Sequence, residues 1–317
     1  MRALGLDTSN YTTSAAVFDG AGGHQAGRLL AVQSGELGLR QSDALCQHVK
    51  QLPERFEELR DGGWLTGIEA VGASTRPRAV EGSYMPCFLA GEGQGRALAA
   101  TLNVPFFAVS HQQGHIAAAA WSAGRMELLD GSMLAWHLSG GTTELLYVEP
   151  EGVNVRAQAI GGTSDISAGQ LIDRAGVLMG LDFPAGKALD ALAGDEEGER
   201  SFRVKENNLT FSLSGMENKV KEMLAQGAEK PVVARVVLDT VCGVVRRTTF
   251  AALERYPGLP VLFSGGVASN ARLRRAMPEG VFAQPQYSTD NAMGVAILTH
   301  RLFQAGSPER GAVRAAD

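Results

Sequence analysis

The period of hydrophobic and polar positions changes several times along the chain, and each change predicts an element. Residues 2–8 (RALGLDT) form a short apolar run that ends in Asp-Thr-Ser. TTSAAVFDG follows, small and β-branched, closing at Asp19-Gly20, a hairpin signal. The chain is therefore predicted to open with an antiparallel pair. Residues 42–60 carry apolar positions at helical spacing, interrupted by Pro53. EAVGAST (69–75) reads as a buried strand, 85–102 as a helix with glycines on one face, and VPFFAVS (104–110) as a strand. SHQQGHIAAAAWSAG then begins a helix with Ser110 as its candidate N-cap.

A second, similar cycle follows. Residues 131–149 read as strand, glycine turn, strand, and GGTSDISAGQLIDRAGVLMGL as a helix after a glycine-rich entry. Residues 231–254 form a long Val- and Ala-rich helix. LPVLFSGGVASNARLRRAM (259–277) is strand, Gly-Gly turn, helix, and TDNAMGVAILTHRLFQAG is an amphipathic helix. The polar stretch 191–208 is expected to be an exposed excursion. The alternation predicts an α/β protein made of two copies of hairpin-then-helix, hence two stacked lobes with a central cleft, where ligands tend to bind.

Composition narrows the function. The 317 residues are long for one core and suit two lobes. The net charge of −5 provides no global field for nucleic acid, so any such role needs a local patch or a partner protein. No run reaches the roughly 18 apolar residues of a membrane span, and the N-terminus reads as a first strand, not a signal peptide. Three scattered cysteines, Cys46, Cys87 and Cys242, fit no metal spacing and suggest reduced thiols in the cytoplasm.

Three constellations carry candidate chemistry. His111 and His115 share a helix face at i, i+4 and suit one metal ion if a third ligand comes from elsewhere; the same spacing also arises on ordinary exposed helices. Gln113 cannot serve as a base there, and no nucleophile–base pair supports a protease. The turns Leu138-Ser139-Gly140-Gly141 and Phe263-Ser264-Gly265-Gly266 each follow an apolar strand. They suit either phosphate binding through peptide N–H groups or tight strand–helix packing, and neither is a Walker motif. Asp7, Asp173, Asp190 and Asp290 stand near element ends. Asp290 is either a ligand or simply the cap of the last helix.

Taken in order, these pieces resemble the tRNA threonylcarbamoyladenosine-synthase family, formerly called O-sialoglycoprotein endopeptidases. GLDTSNYTTSAAV is similar to its first hairpin, SHQQGH to its His-x-Glu-Gly-His helix, and HLSGGTTEL to its first phosphate turn. AGQLIDRAGVLMGLDFPAGKALDALA, LTFSLSGMENKV, LFSGGVASNARLR and YSTDNAMGVA follow its remaining motifs. The resemblance implies an actin-like ATPase (ASKHA, duplicated RNase H-like) fold. It places the first lobe at 1–108, with a helix at about 291–317 packing back on it, and the second at 109–290. It implies a divalent ion, iron or zinc, on His111, His115 and Asp290. It implies ATP or an adenylate on His137, Leu138, Ser139, Gly140, Gly141, Asp173, Gly186, Asp190, Gly265, Gly266 and Asn270. Arg76 and Arg78, in place of a Gly-Pro-Gly loop, suit an anionic substrate or are solvated charges. Partners of the family type would be a paralogous subunit and a small ATPase, with tRNA reached through partners or a local patch. Dimerisation is also compatible.

The departures are specific. An Asp-Glu pair of the family is Tyr11 and Thr12 here, its glutamate between the histidines is Gln113, and a histidine after the Gly-Gly turn is Thr142. An acidic pair at a helix start is replaced by Asp165-Ile166-Ser167-Ala168-Gly169-Gln170. The chain thus reads as a divergent paralogue: a metal-dependent transferase acting on tRNA adenosine, or a catalytically weakened nucleotide-binding partner or regulator. An ATP-dependent small-molecule kinase or carbamoyltransferase is a third reading.

Overall fold

The computed structural model describes residues 1–9, 11–32, 39–194 and 200–306. The chain divides into two compact units. The first comprises residues 1–131, 149–157 and 290–317, and the second residues 132–148 and 158–289.

The first unit is built on β1 (Arg2–Asp7), β2 (Thr12–Phe18), β3 (Gly23–Leu29), β4 (Ile68–Arg76) and β5 (Phe106–Ser110), in sheet order β3-β2-β1-β4-β5. β1 pairs antiparallel with β2, Leu4 opposite Val17, and parallel with β4. The opening antiparallel pair is as expected; the Asp19-Gly20 turn closes the next hairpin, β2–β3, rather than the first. Helices α1 (Gln41–Asp61), α2 (Phe88–Leu102) and α3 (His111–Ser122) belong to this unit. α1 runs through Pro53 without the expected interruption, since Leu52, Arg55 and Leu59 on one face stay buried across it.

The second sheet has the order β12-β11-β6-β7-β8-β10-β9. Its strands are β6 (Met133–Leu138), β7 (Thr143–Glu151), β8 (Asn154–Thr163), β9 (Lys205–Asn207), β10 (Thr210–Ser212), β11 (Val261–Ser264) and β12 (Val281–Phe282). The segment β8-β7-β6-β11-β12 repeats the order of the first sheet, so the duplication suspected from pattern is a duplication of topology. Helices α4 (Ala168–Leu178), α5 (Gly186–Ala193), α6 (Ser214–Ala225), α7 (Lys230–Arg255) and α8 (Ala271–Ala276) surround a core that includes Trp136, Phe211, Phe263 and Val244. β8 has no apolar run and was not expected; Arg156 and Gln158 are exposed and Asn154 and Thr163 half-buried, on a sheet that supplies the pairing.

The last helix, α9 (Met293–Gln304), corrects two expectations. Every residue from Met293 to His300 is buried, so the helix is not amphipathic. It packs against β1, β2 and β4 on one side and α3 on the other, so no face remains for water. The same packing moves a boundary. α3 groups with the first unit, which extends to Gly131, rather than starting a second lobe at 109. Of the polar stretch 191–208, residues 195–199 lie outside the described residues, as does 307–317 of the expected C-terminal helix. Among the described residues no helix is long and apolar enough to cross a membrane.

Candidate functional site

A capping box starts α3. The Ser110 hydroxyl accepts from the Gln113 amide, and the Gln113 side chain accepts from the Ser110 amide at 2.9 Å. Gln113 Nε2 also donates to the Val155 carbonyl at 2.7 Å. A carboxylate has no proton for that bond, so glutamine here is a structural choice. Capping fixes the first turn, which carries His111 and places His115 one turn above it.

α3 meets α9 at Gly114 and Gly294. A Cβ built on Gly294 would lie 1.8 Å from the Gly114 carbonyl oxygen, so only glycine permits the crossing. The close approach brings Asp290, just before α9, to the two imidazoles. His115 Nε2 lies 3.2 Å from Asp290 Oδ1, His111 Nε2 3.5 Å from the same oxygen, and the two Nε2 atoms 2.9 Å apart. Donor atoms about 2.1 Å from one ion stand about 3.0 to 3.5 Å apart at octahedral to tetrahedral angles. The three side chains therefore fit one divalent ion, and two imidazole nitrogens with one carboxylate suit a first-row metal. Asp290 does not cap α9, whose N-cap position is Ala292; the preceding Asn291 Oδ1 accepts from the Met293 amide at 3.1 Å.

Asp7, at the end of β1, completes the cluster. Its Oδ2 takes a 2.7 Å bond from His111 Nδ1, and its Oδ1 accepts from the Ser9 amide at 2.8 Å. With Nδ1 donating, the Nε2 lone pair of a neutral His111 points at the ligand position. Burial alone would neutralise His111, yet Asp7 and Asp290 outweigh it and push its pKa up to about 10. Burial likewise acts to raise both aspartates, and the histidines hold both below their ordinary values. The pocket thus favours positive charge. Sequence reasoning marked Asp7 as a strand-end carboxylate and left it out of the metal set; only its position 104 residues from His111 reveals the role.

Arg76 and Arg78 are exposed. Arg76 pairs in register with Ser110, and the Pro77 carbonyl accepts from the Gln112 amide at 3.0 Å, so this loop borders the start of α3.

The other predicted residues gather in the second unit. β6 and β11 are parallel neighbours, Ser264 opposite His137, so both glycine turns leave the same edge of the sheet. Gly265 has φ of +92°, and a Cβ there would lie 2.1 Å from the Leu138 oxygen. Gly140, Gly141 and Gly266 face open space. Only Gly265 among the four is demanded by the protein's own packing. Ser139 closes the first turn, donating its amide to Thr142 O at 2.8 Å and accepting from the Thr142 amide at 3.0 Å. Ser167, N-cap of α4, donates to Gly140 O at 2.6 Å.

Asp173, Gly186, Asp190 and Asn270 are connected. Asp173 Oδ1 accepts from the Ala185 amide at 2.8 Å, next to Gly186, and Asp190 on the same helix accepts from Asn270 Nδ2 at 2.8 Å. Burial raises the Asp173 pKa against that one hydrogen bond. Asn270 Oδ1 caps α8. A Cβ on Gly186 would meet only Ile172, at 3.8 Å, which leaves space beside the carboxylates.

Comparison with known proteins completes the description. The family model described as TsaD: tRNA N6-adenosine threonylcarbamoyltransferase matches residues 47–297. A protein so named from Granulibacter bethesdensis is 31% identical, over 94% of this chain and 88% of that one. Another from Thermus thermophilus is 31% identical, over 83% and 80%. Among solved structures, full-length HypF in a phosphate- and nucleotide-bound form superposes with a TM-score of 0.58 at 15% identity, covering 96% of this chain and 47% of that one. The activator of the 2-hydroxyisocaproyl-CoA dehydratase from Clostridium difficile gives 0.54 at 14%, covering 96% and 97%. At such identities the likeness speaks for the fold alone, the actin-like ATPase arrangement of two sheets.

Proposed function

Because this chain belongs to the tRNA N6-adenosine threonylcarbamoyltransferase family, we propose that it transfers a threonylcarbamoyl group from an activated phosphate anhydride to N6 of a tRNA adenosine. His111, His115 and Asp290 hold one divalent ion, iron or zinc, and Asp7 orients His111. When bound, that ion supplies Lewis-acid polarisation of the anhydride.

The remaining work falls to the chain itself. Peptide N–H groups from His137 to Gly141 and at Gly265-Gly266 receive the phosphate oxygens, where negative charge grows as the carbamoyl–oxygen bond breaks. Asp173 and Asp190 accept from ribose hydroxyls, Asn270 steadies Asp190, and the space at Gly186 admits the nucleoside. Arg76 and Arg78 attract an anionic portion of the donor. The amine loses a proton as its bond to the carbamoyl carbon forms. Thr12 and Gln113, where the resembled family has carboxylates, offer no base for it, so that proton leaves through water or the departing phosphate. The protein acts in the cytoplasm with family-type partners, a paralogous subunit and a small ATPase.

The observation that supports this reading most is the convergence of Asp290 on His115 across 175 residues of sequence. The test is a transfer assay with tRNA, threonine, bicarbonate and ATP in the presence of the usual partner enzymes, run on metal-replete protein. Modified adenosine is the expected product.

A second reading rests on a separate observation. Gln113 is committed to Ser110 and Val155, and Thr142 stands where the resembled family has a histidine. That favours a nucleotide-binding partner or regulator with weakened transfer. Nucleotide binding without product in the same assay would select it.

A further inference from the structure

We propose that a basic furrow on the second unit docks the phosphodiester backbone of the acceptor RNA, an inference that rests on the transfer reading above and adds where the acceptor is held. The chain is net acidic, so RNA binding requires a local concentration of positive charge. One exists. A cavity of about 930 Å³ is lined by Arg203, Lys205, Lys219 and Arg247, and Glu206 is the only acid among its described lining residues. Glu206 is already neutralised by Arg247. Among the described residues no acid pairs with Arg203, Lys205 or Lys219, and Lys219 instead stands 4.9 Å over the Phe202 ring. Four cations in eight lining residues are the wrong chemistry for a small apolar ligand, whose pockets are mainly hydrophobic. They are the right chemistry for a polyanion.

The furrow continues toward the nucleotide turn. A second cavity of about 590 Å³ shares Lys205 and is lined by Asn207, Asn208, Thr210, Ser212 and Ser164, amides and hydroxyls that bond phosphate and sugar oxygens. Asp165 ties its wall together, accepting from the Ser212 hydroxyl at 2.5 Å and the Leu213 amide at 2.8 Å. Ser167, three residues beyond Ser164 and so within about 11 Å along the chain, donates to Gly140 O. A backbone lying along β9 and β10 therefore ends beside the turn proposed to hold the transferable group's phosphate. These groups bond phosphate and sugar, so they position the acceptor without reading its bases.

The experiment measures binding of a labelled, unmodified tRNA transcript to the full chain by fluorescence anisotropy, at several salt concentrations. The variant Arg203→Ala/Lys205→Ala/Lys219→Ala should bind about ten-fold more weakly or worse. Its slope of log affinity against log salt should fall by about 2 to 3, one for each phosphate that is no longer neutralised. A control variant removes three exposed cations outside the furrow, Arg28→Ala/Arg60→Ala/Lys221→Ala. It should keep wild-type affinity, and both variants should keep the unfolding midpoint and adenine-nucleotide affinity. Equal tRNA affinity and slope in furrow variant and wild type would overturn the proposal. So would equal losses in the two variants, or a furrow variant that loses poly-glutamate but keeps tRNA, which would indicate an acidic protein partner. Failure of the transfer reading looks different: wild-type protein would then bind no tRNA and form no product, and the furrow proposal would fall with it.

Discussion

Oδ2 of Asp7 lies 2.7 Å from Nδ1 of His111, at the end of the first strand and the start of the third helix. The bond fixes the imidazole's orientation and directs Nε2 toward His115 and Asp290. A partner of this kind raises the basicity of a ligating histidine and locks its tautomer. Changing Asp7 to Asn should therefore weaken metal affinity about 10- to 100-fold without abolishing it, while His115→Ala should leave the purified protein without metal. Metal analysis of the wild type and both variants checks the order. Equal content in wild type and His115→Ala would remove the site.

The two glycine turns should respond in opposite ways to alanine. At Gly265 a methyl group meets the Leu138 carbonyl in a left-handed backbone conformation, so Gly265→Ala should cost roughly 3 kcal/mol of stability. Gly140→Ala points its methyl into open space. It should leave stability within about 0.5 kcal/mol yet weaken nucleotide binding. Denaturant unfolding and calorimetry separate the two effects.

Restoring the resembled family's glutamate should not restore anything in this chain. Gln113→Glu replaces the 2.7 Å bond to the Val155 carbonyl by a carboxylate facing a carbonyl oxygen. A loss of about 1 to 3 kcal/mol is expected. An unchanged unfolding midpoint would show that the amide's donor is dispensable.

His48 should make stability pH-dependent. It is fully buried, its Nδ1 is 2.8 Å from the Thr13 hydroxyl, and burial lowers its pKa to about 4. The unfolded chain then binds the proton more readily than the folded one. The contribution is fully present above the unfolded value of about 6.5 and is lost as pH falls from there toward 4. Its full size is about 3 kcal/mol. Unfolding at pH 7 and pH 4.5 should show a larger acid loss in wild type than in His48→Gln, because the carboxylates common to both cancel.

Much of the site was legible because its local devices are local. Ser110 precedes an apolar-patterned helix and forms a capping box as read, whereas the equivalent box at Ser167 emerged only in the structure. The His111/His115 pair and the glycine turns occupy single short segments. The element types around them followed from period alone. Where period failed, the surrounding elements were the cause. α9 has no polar face because a sheet and a helix cover it, and β8 reads as polar because its neighbours, not its side chains, make it a strand.

By itself, the amino-acid sequence determined the α/β alternation, the duplicated cycle, the capped helix bearing two histidines and the two turns after apolar strands. These depend on interactions within a few residues, which a linear pattern records. Only the tertiary structure decided that Asp7 rather than solvent orients His111, that Asp290 turns to His115 rather than capping α9, and that α3 joins the first unit. Those outcomes depend on how closely separated segments approach. Here that distance is set by Gly114 against Gly294, a contact between residues 180 positions apart that no local pattern encodes.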